Sequence, residues 1–578
     1  MVLPSSPDPS TTSLPSFHDL HLPPYLTPTL LILLLYLLYR TILHPIFLSP
    51  LSKIPNAHPL APITPLWILY QRLRQQESHV VHAAHVRLGP VVRIGPSEIS
   101  ATAVDDGLKA LYAKELEKSS FYSVFENFGW VSPLPNAFST PHFAEASKQR
   151  QRVAGIYSKA ALQACRKIQA IDSEILYKRL LRVLSSSASQ NAKVDVTRLI
   201  QATVMDLTTA YMFGCRVGTN HLEDAEGQKS WLRAFYGSRP YLNSTPVLAE
   251  MPGLGKWLKS WGFSLISSQR ERYLKEIDAW CLKMIDGAER VLGAVDVGGK
   301  LRSTETPVVY KHIKEAVKEE CMEPEETTVD YDGSHVPATT QKLQVASELL
   351  DELIGTQHNT STTLIYLMWQ LSRNPQLQSQ LRNELISGVT EPLISYPEAP
   401  GSLPCTKQLD KLPFLNAVIK ETLRLHPPQP GAQRRVTPLA SKEQTGVSAP
   451  TQLAGFAVPG GTQVNAYPWA IHRNADVFPS PEEWLPQRWM PDWSQSACDV
   501  WATRGRMESW FWAFGNGSRM CVGHEYAWQT LKIVVAAIYT NFRTTIATEG
   551  VMEQKDGFMT GPMNSDLLLQ FEAYDPDD

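Results

Sequence analysis

The sequence lacks the features by which several common classes of protein are recognised. Its 578 residues carry 54 Lys and Arg against 57 Asp and Glu, for a net charge of −3, and they contain no basic run of the kind that follows a phosphate backbone. We therefore expect no nucleic-acid partner. The seven cysteines are odd in number, far apart and without a C-x-x-C pair, so they predict neither a disulfide framework nor a zinc site.

Long flexible linkers are also missing. No linker interrupts the chain after residue 70, and 43% of the residues are hydrophobic, so we expect one folded domain over residues 71–578. Helical periodicity is clearest over residues 162–184 and 343–371, whereas strand-like segments are confined to residues 91–99 and 453–471. The pattern predicts a mainly α fold with a small β subdomain.

One internal segment departs from this helical pattern. Residues 293–340 are polar and charged, and they contain several turn signals around one short helical stretch. We interpret this segment as a surface insertion in the domain.

An apolar stretch near the N-terminus has the length of a membrane span. Residues 24–48 contain one charge, Arg40, and a bilayer requires about 20 apolar residues. The alternative is a cleaved secretory signal, but the residues before the stretch include Asp8 and Asp19 and no Lys or Arg. We predict a single transmembrane anchor at residues 24–48.

The charges around this stretch predict its orientation. Arg40 and Lys53 follow the apolar core, so the large domain is expected in the cytoplasm and residues 1–23 form a short lumenal tail. Residues 49–70 contain five prolines and are interpreted as a Pro-rich hinge. The expected location is the endoplasmic reticulum membrane, with membrane lipid as a partner of the anchor.

The most informative motif is a Gly-rich loop at residues 512–523 that presents one cysteine before an apolar helical run. A cysteine at a helix N-terminus is favoured as the thiolate, and a thiolate is a soft metal ligand. The glycines allow backbone and ligand to approach closely. The alternative is a buried structural cysteine. The candidate residues are Phe514, Gly517, Arg519, Cys521 and Gly523.

This loop resembles the haem-binding loop of the cytochrome P450 family, whose pattern is F-x-x-G-x-R-x-C-x-G. Glu421 and Arg424 lie upstream in an E-x-x-R segment that is similar to a second motif of the family, and Arg488 lies where the family supplies a third member of that network. The resemblance implies a cytochrome P450 fold, haem b as cofactor and Cys521 as the iron ligand. It implies a structural role for the triad.

The same resemblance suggests two arginines that bind the haem propionates. Arg150 and Arg435 fall at the positions where the family places such residues, and guanidinium geometry suits a carboxylate. The residue four before Arg150, usually Trp or His in the family, is Ala146 here. Either arginine could instead be a solvated basic residue.

The sequence departs from the family on its oxygen-side helix. Residues 351–364 align with the family pattern D-E-x-x-[A/G]-G-x-[D/E]-T-T, but His358 stands at the acid and Asn359 at the alcohol. That pair normally helps to deliver protons during oxygen activation. A histidine can relay protons and an amide can donate a hydrogen bond, so His358 and Asn359 are the catalytic candidates. The alternative is a core histidine without a catalytic role.

The resemblance implies a haem-thiolate monooxygenase that inserts one oxygen atom from dioxygen into an apolar small molecule, with electrons from NADPH-cytochrome P450 reductase. Weaker matches resemble fungal members, so we expect a role in secondary metabolism. The alternatives are a dioxygen-independent isomerase or dehydratase on the same fold, and a non-catalytic haem sensor or carrier. The substrate pocket is expected from residues 121–138 and 231–247, from the oxygen-side helix and from residues 558–559.

Overall fold

The computed structural model describes most of the chain, so the predicted lumenal tail at residues 1–23 lies outside the described residues. The described residues are 26–574 apart from 129–133, 240–249, 252, 254–256, 259, 264–266, 297–299, 321–337, 391–403, 405, 440–450, 492–496 and 565.

The N-terminal apolar stretch forms a helix that projects from the domain. Helix α1 (Leu26–Leu38) continues as a π-helix over Tyr39–Leu48, which contains Pro45. Over Pro28–Leu48, 21 residues with a mean hydropathy of 1.9, none of the most apolar window is buried by the protein. A surface of this kind and length fits the hydrocarbon core of a bilayer.

The segment predicted as a hinge is packed against the domain. Leu51, Ile54 and Ala61 are buried, and Arg93 donates a hydrogen bond to the carbonyl of Pro45 at 2.8 Å. The prolines exclude a long helix, but the apolar residues between them still find partners. The connection between anchor and domain is therefore more rigid than the proline content suggests.

Helices make up most of the domain. In chain order they are α2 (Leu66–Leu73), α3 (Glu77–Leu88), α4 (Lys109–Tyr112), α5 (Phe143–Ala154), α6 (Lys159–Ala164), α7 (Arg166–Ile175), α8 (Arg182–Ser189), α9 (Val196–Phe213), α10 (Ala225–Ser238), α11 (Ser268–Asp296), α12 (Val308–Glu320), α13 (Ala338–Arg373), α14 (Pro375–Ser387), α15 (Thr406–Leu409), α16 (Pro413–Leu425), α17 (Pro468–Ile471), α18 (Ala497–Ser509) and α19 (His524–Asn541).

The strands are short and form small sheets. They are β1 (Val91–Gly95), β2 (Glu98–Ala101), β3 (Glu117–Lys118), β4 (Lys193–Asp195), β5 (Gln433–Val436), β6 (Thr451–Leu453), β7 (Phe456–Val458), β8 (Gln463–Ala466), β9 (Phe542–Thr548) and β10 (Leu568–Ala573). The largest sheet has the order β1-β2-β8-β5-β3. In its β3–β5 ladder Lys118 lies opposite Arg435, so two basic residues far apart in sequence become neighbours.

The main core surrounds the two long helices α9 and α13. Helix α9 is buried along most of its length, because apolar residues and small threonines alternate around all its sides. The threonine hydroxyls donate to carbonyls of the preceding turn, as Thr208 does to Val204 at 2.7 Å. Helix α13, 36 residues long, packs against α9 along the core.

The prediction of a surface insertion at residues 293–340 is wrong for its central part. Helix α12 lies inside this segment, and its buried residues pack against α5, α9 and α13. These residues are Val309, Tyr310, Ile313 and Val317. Their spacing places them on one helical face, but the lysines and glutamates between them lower the hydrophobicity of the segment as a whole. Residues 321–337 lie outside the described part of the chain.

The E-x-x-R motif forms a fully buried ionic network. Glu421 on α16 accepts bonds from Arg424 at 2.8 and 2.9 Å and from Arg488 at 3.0 Å. It also accepts from the indole of Trp489 and the backbone of Leu485, both at 2.9 Å. The remaining guanidinium nitrogens of both arginines donate to backbone carbonyls. A buried ion group of this kind is stable only when every charged atom is satisfied.

The network reaches the cysteine loop through one histidine. His472 accepts a bond from the backbone N–H of Trp512 at its Nε2, 2.8 Å away, so its proton lies on Nδ1, which donates to the carbonyl of Arg424 at 3.0 Å. Burial lowers the pKa of His472 to about 3, which keeps the ring neutral. The start of the loop is therefore held against the end of α16.

Replacing Glu421 tests the network. Glu421→Gln keeps the shape but leaves two buried guanidinium groups without a counter-charge, so we expect a loss of about 3–5 kcal/mol in the free energy of unfolding. The measurement is urea unfolding followed by tryptophan fluorescence. The control is Glu482→Gln, which removes a carboxylate that is 66% exposed beside Arg473 and is expected to cost less than about 1 kcal/mol. Equal losses in both variants would contradict the assignment.

Candidate functional site

A large internal cavity lies between α13 and the cysteine loop. The space between its walls, which is partly open to solvent, is about 1420 Å³. Its lining combines the cysteine loop, one face of α13, an aromatic wall and several basic side chains.

The cysteine loop closes on itself and directs Cys521 into the cavity. The backbone N–H of Cys521 donates to the carbonyl of Phe514 at 2.9 Å, and both residues line the cavity. Gly517 has a φ of +71°, and a Cβ at this position would overlap the carbonyl oxygen of Tyr112. Gly523, also in the lining, precedes the first residue of α19. The loop is shaped by a close backbone approach that only glycine permits.

Burial disfavours the thiolate of Cys521 in the protein alone. Desolvation raises the pKa of its thiol to about 11, and the nearby charge of Glu352 raises it further, against a lowering effect of Arg150. The helix N-terminus that follows the loop is therefore insufficient to ionise this cysteine. A thiolate here requires a bound cation, which a metal centre supplies.

Basic side chains from four separate segments meet in the same cavity. Arg150 from α5, Arg435 from β5, Arg519 from the loop and Lys118 from β3 all line it. Burial lowers the pKa of Lys118 well below its usual value and that of Arg519 to about 10. Arg519 donates to the carbonyls of Thr140 and Pro141, but its Nε has no partner among the described residues. This concentration of positive charge fits an anionic ligand.

Lys118 is a site residue that sequence reasoning missed. It stands in an ordinary charged segment, and its role depends on pairing opposite Arg435 in the β3–β5 ladder. Ala146, in place of the larger residue that the family uses, is buried and contributes no polar atom.

The structure separates the two catalytic candidates on α13. Asn359 and Thr356 line the cavity, whereas His358 is absent from its lining. His358 is buried, and neither of its ring nitrogens has a partner within the described part of the chain. Burial, with a smaller effect of Lys555, lowers the pKa of His358 to about 4. The ring of His358 is therefore neutral near pH 7.

Two carboxyl groups on α13 also line the cavity, and sequence reasoning did not single them out. Asp351 and Glu352 lie one turn before Gly355, and burial raises the pKa of each to about 8. Their position within a run of leucines could have identified them from the sequence, since Leu349, Leu350 and Leu353 on either side are buried. Charged residues inside an apolar helical stretch are rarely structural.

An aromatic wall closes the cavity on the side away from the loop. Residues 121–138 and 558–559 contribute as predicted, through Tyr122, Phe125, Phe138, Phe558 and Met559. Their rings pack edge to face, with the centroids of Phe125 and Phe138 5.0 Å apart. Trp231 stacks on Phe235 elsewhere in the core, and residues 240–247 of the predicted lining lie outside the described residues.

Comparison with known proteins agrees with this site. A family model described as "Cytochrome P450" matches residues 310–569, which contain α13, the buried triad and the cysteine loop. The cytochrome P450 monooxygenase avaI of Aspergillus versicolor is 26% identical over 449 residues, 76% of this chain and 91% of that protein. This chain contains a cytochrome P450 domain. It is an oxidoreductase, a haem-thiolate monooxygenase with a mainly α fold.

Two further relatives show the same extent of similarity to this P450. The benzoate 4-monooxygenase bphA of Aspergillus niger is 24% identical over 513 residues, 87% of this chain and 90% of that protein. The sesterfisheric acid synthase of Neosartorya fischeri is 24% identical over 562 residues, 89% of this chain and 90% of that protein. The fold and the thiolate chemistry are thus shared across substrates of different kinds.

The residues of the cavity fit the haem iron cofactor that the family implies. Cys521 is a soft ligand whose ionisation needs a cation, and a haem carries both a metal ion and carboxylates. The unpartnered Nε of Arg519 and the lowered pKa values of the basic side chains are relieved by an anionic group.

Two glycines provide a matched test. Gly517→Ala places a Cβ at a φ of +71° against the Tyr112 carbonyl, at a cost of about 1–2 kcal/mol from the backbone and more from the overlap. We expect the variant to lose most of its haem. Gly293→Ala, on an exposed position of α11 outside the cavity lining, has open space around the added Cβ, so its haem content should stay near that of the wild type. Haem per chain is measured by absorbance. Similar haem content in the two variants would contradict this geometry.

The buried His358 predicts a specific dependence of stability on pH. With a pKa of about 4 when folded and about 6.5 when unfolded, the unfolded chain binds more protons between these values, so stability falls as pH falls. From pH 6.5 to 5 the loss from this residue is about 2 kcal/mol. His358→Asn should remove that loss in urea unfolding at a series of pH values.

A second histidine gives a control of opposite sign. Asp556 raises the pKa of His79, so His79 stabilises the fold at low pH and this contribution fades as pH rises through the raised value. His79→Asn should therefore make the protein more sensitive to acid. Parallel pH profiles for wild type and His358→Asn would contradict the assignment of a neutral buried His358.

Proposed function

We propose that this P450 holds haem b through Cys521 and inserts one oxygen atom of dioxygen into a mainly apolar small molecule. The observation that carries the proposal is the meeting of Cys521, a group of buried basic side chains and an aromatic wall around one cavity of about 1420 Å³. The haem, when bound, supplies oxygen activation, which a thiolate ligand favours by donating electron density.

The chain's own residues hold the cofactor in defined ways. Arg150, Arg435 and Arg519 provide guanidinium donors for the two propionates, and Lys118 adds a fourth charge beside Arg435. Phe514 and the glycines at 517 and 523 allow the cysteine loop to lie close to the plane of the haem ring.

Proton delivery is assigned to the polar groups of α13. Asn359 faces the cavity, and its amide N–H can donate a hydrogen bond where the family uses an alcohol. His358, neutral and outside the cavity lining, acts behind Asn359 as a hydrogen-bonding group and not as an acid that titrates near pH 7. Asp351 and Glu352, whose carboxyl groups are neutral near pH 7, are further proton donors in the lining of the same cavity.

The proposed partners are supported by the family resemblance and by the apolar helix. We propose NADPH-cytochrome P450 reductase as the electron donor and the endoplasmic reticulum membrane as the location, with residues 71–578 in the cytoplasm. The apolar helix over residues 28–48 supports a membrane anchor. The apolar wall selects a hydrophobic substrate. The named relatives are fungal and include a sesterfisheric acid synthase, which supports a role in secondary metabolism.

Isotope labelling tests the proposed reaction. A compound that shifts the haem absorbance is incubated with the enzyme, the reductase, NADPH and ¹⁸O₂, and we expect one labelled oxygen atom per product and one NADPH consumed per turnover. Product formed without dioxygen or NADPH would instead support an isomerase or dehydratase. Binding without any product from a wide set of apolar compounds would favour a haem sensor or carrier.

The ligand assignment is tested by substitution of cysteine. Cys521→Ser should lose the red-shifted absorbance band that a thiolate ligand gives the reduced carbon monoxide complex. Cys165→Ser, a change at a partly buried cysteine outside the cavity lining, is the control and should keep the band. A band that persists in Cys521→Ser would overturn the proposal that Cys521 binds the iron.

A further inference from the structure

Asp351 is a carboxyl group of the cavity without a partner among the described residues. It lies on α13, lines the cavity, and makes no hydrogen bond or ion pair with a residue that the structure describes. Glu352 lines the same cavity and lies near the hydroxyl of Tyr157 and the charge of Arg150. Because Glu352 has these neighbours, Asp351 is the carboxyl group of the two that we consider for a ligand.

The basic groups near Asp351 are engaged elsewhere or remain at a distance. Lys118 donates to the carbonyl of Phe138 at 2.5 Å and lies 4.0 Å from the centroid of the Phe138 ring. Arg239, at the end of α10, lowers the pKa of Asp351 through its charge without forming an ion pair with it. Burial outweighs both effects and raises the pKa of the Asp351 carboxyl to about 8.

Two other side chains of the lining have a buried oxygen without a hydrogen-bond partner among the described residues. They are the Oδ1 of Asn359, on the same helix as Asp351, and the Oε1 of Gln433, which lies beside Gly515 of the cysteine loop. Arg519 Nε is an unpartnered buried donor of the same lining and belongs to the group of bases assigned to the propionates. Asn359 therefore adds a second acceptor oxygen on α13.

We propose that Asp351 binds a cationic nitrogen of the substrate, and that this P450 acts on a mainly apolar molecule that bears a basic group such as an amine or guanidine. The inference rests on the proposed function, because it names the substrate class of the same cavity. A carboxylate buried without a partner is costly, and a cation that pairs with it offsets this cost. The aromatic rings of Tyr122, Phe125 and Phe558 line the same cavity and can contact the apolar part or the cation.

A matched pair of probes tests the inference on the haem-loaded, full-length protein. The probes are 4-phenylbutylguanidinium, which stays charged, and 4-phenylbutylurea, which has nearly the same shape without the charge. Binding is measured by calorimetry and by the change in haem absorbance. We expect the guanidinium to bind roughly tenfold or more tightly than the urea, the range expected of a charged hydrogen bond.

Substitution then assigns the preference to one residue. Asp351→Asn should reduce the preference to less than about twofold and change the affinity for the urea little, because the amide keeps the size but not the charge. Glu352→Gln is the comparison and should keep most of the preference, since Glu352 lies near the charge of Arg150 and the hydroxyl of Tyr157. Loss of the preference in Glu352→Gln alone would overturn the assignment to Asp351.

The pH dependence gives a measurement that needs no variant. The groups that face Asp351 are Glu348 and Glu352 on its own helix, Lys118 on β3 and Arg239 at the end of α10. Since the carboxylate must be ionised to bind a cation, the preference should rise up to about tenfold per unit between pH 6 and 8 and level off above. The affinity for the urea should stay constant over this range.

The outcomes separate this inference from the proposed function. Equal affinities for the two probes at every pH, in a protein that shows the thiolate carbon monoxide band, would overturn the inference and leave the haem-thiolate assignment intact. Absence of that band in the wild type would overturn the proposed function first. Tighter binding of an isosteric carboxylate, 6-phenylhexanoate, would show that Lys118 and Arg239 select an anion and would also overturn the inference.

Discussion

The structure depends on the charge of one buried carboxylate. Glu421 is inaccessible to solvent and satisfies two equally buried arginines, an indole and a backbone N–H. Its partners come from two segments, α16 and residues 485–489, and the remaining donors of Arg424 and Arg488 bind carbonyls of the chain between these segments. Because a buried charge that loses a partner strongly destabilises the fold, these segments are held in one arrangement.

A short chain of hydrogen bonds connects this buried network to the cysteine loop. His472 connects the end of α16 to the N–H of Trp512, where the cysteine loop begins. The loop is then closed by the bond from Cys521 to Phe514 and by the contact of Gly517 with Tyr112. The position of the thiolate ligand is thus set by a polar network outside the cavity and by glycines whose backbone no other residue could adopt without strain.

Burial shifts the pKa values of the ionisable side chains that line the cavity. The same desolvation raises the pKa of Cys521, Asp351 and Glu352 and lowers that of Lys118 and Arg519. Burial therefore disfavours the charged forms of Cys521, the two carboxyl groups and Lys118, which a ligand of opposite charge would stabilise. Arg519, with a pKa of about 10, stays charged near pH 7. A cofactor with a metal centre and two carboxylates meets the needs of the thiol and the bases, and a basic substrate meets that of Asp351.

The sequence by itself determined the features that local spacing encodes. The Cys loop, the E-x-x-R segment with Arg488, the apolar span and the mainly α character all follow from residues close together or in a fixed order. Only the tertiary structure decided that α12 belongs to the core, that Lys118 stands opposite Arg435, and that Asn359 lines the cavity while His358 does not. Strand partners and the face that a buried helix turns to a cavity depend on contacts between distant segments, and a helix buried on all sides carries no pattern that marks one face.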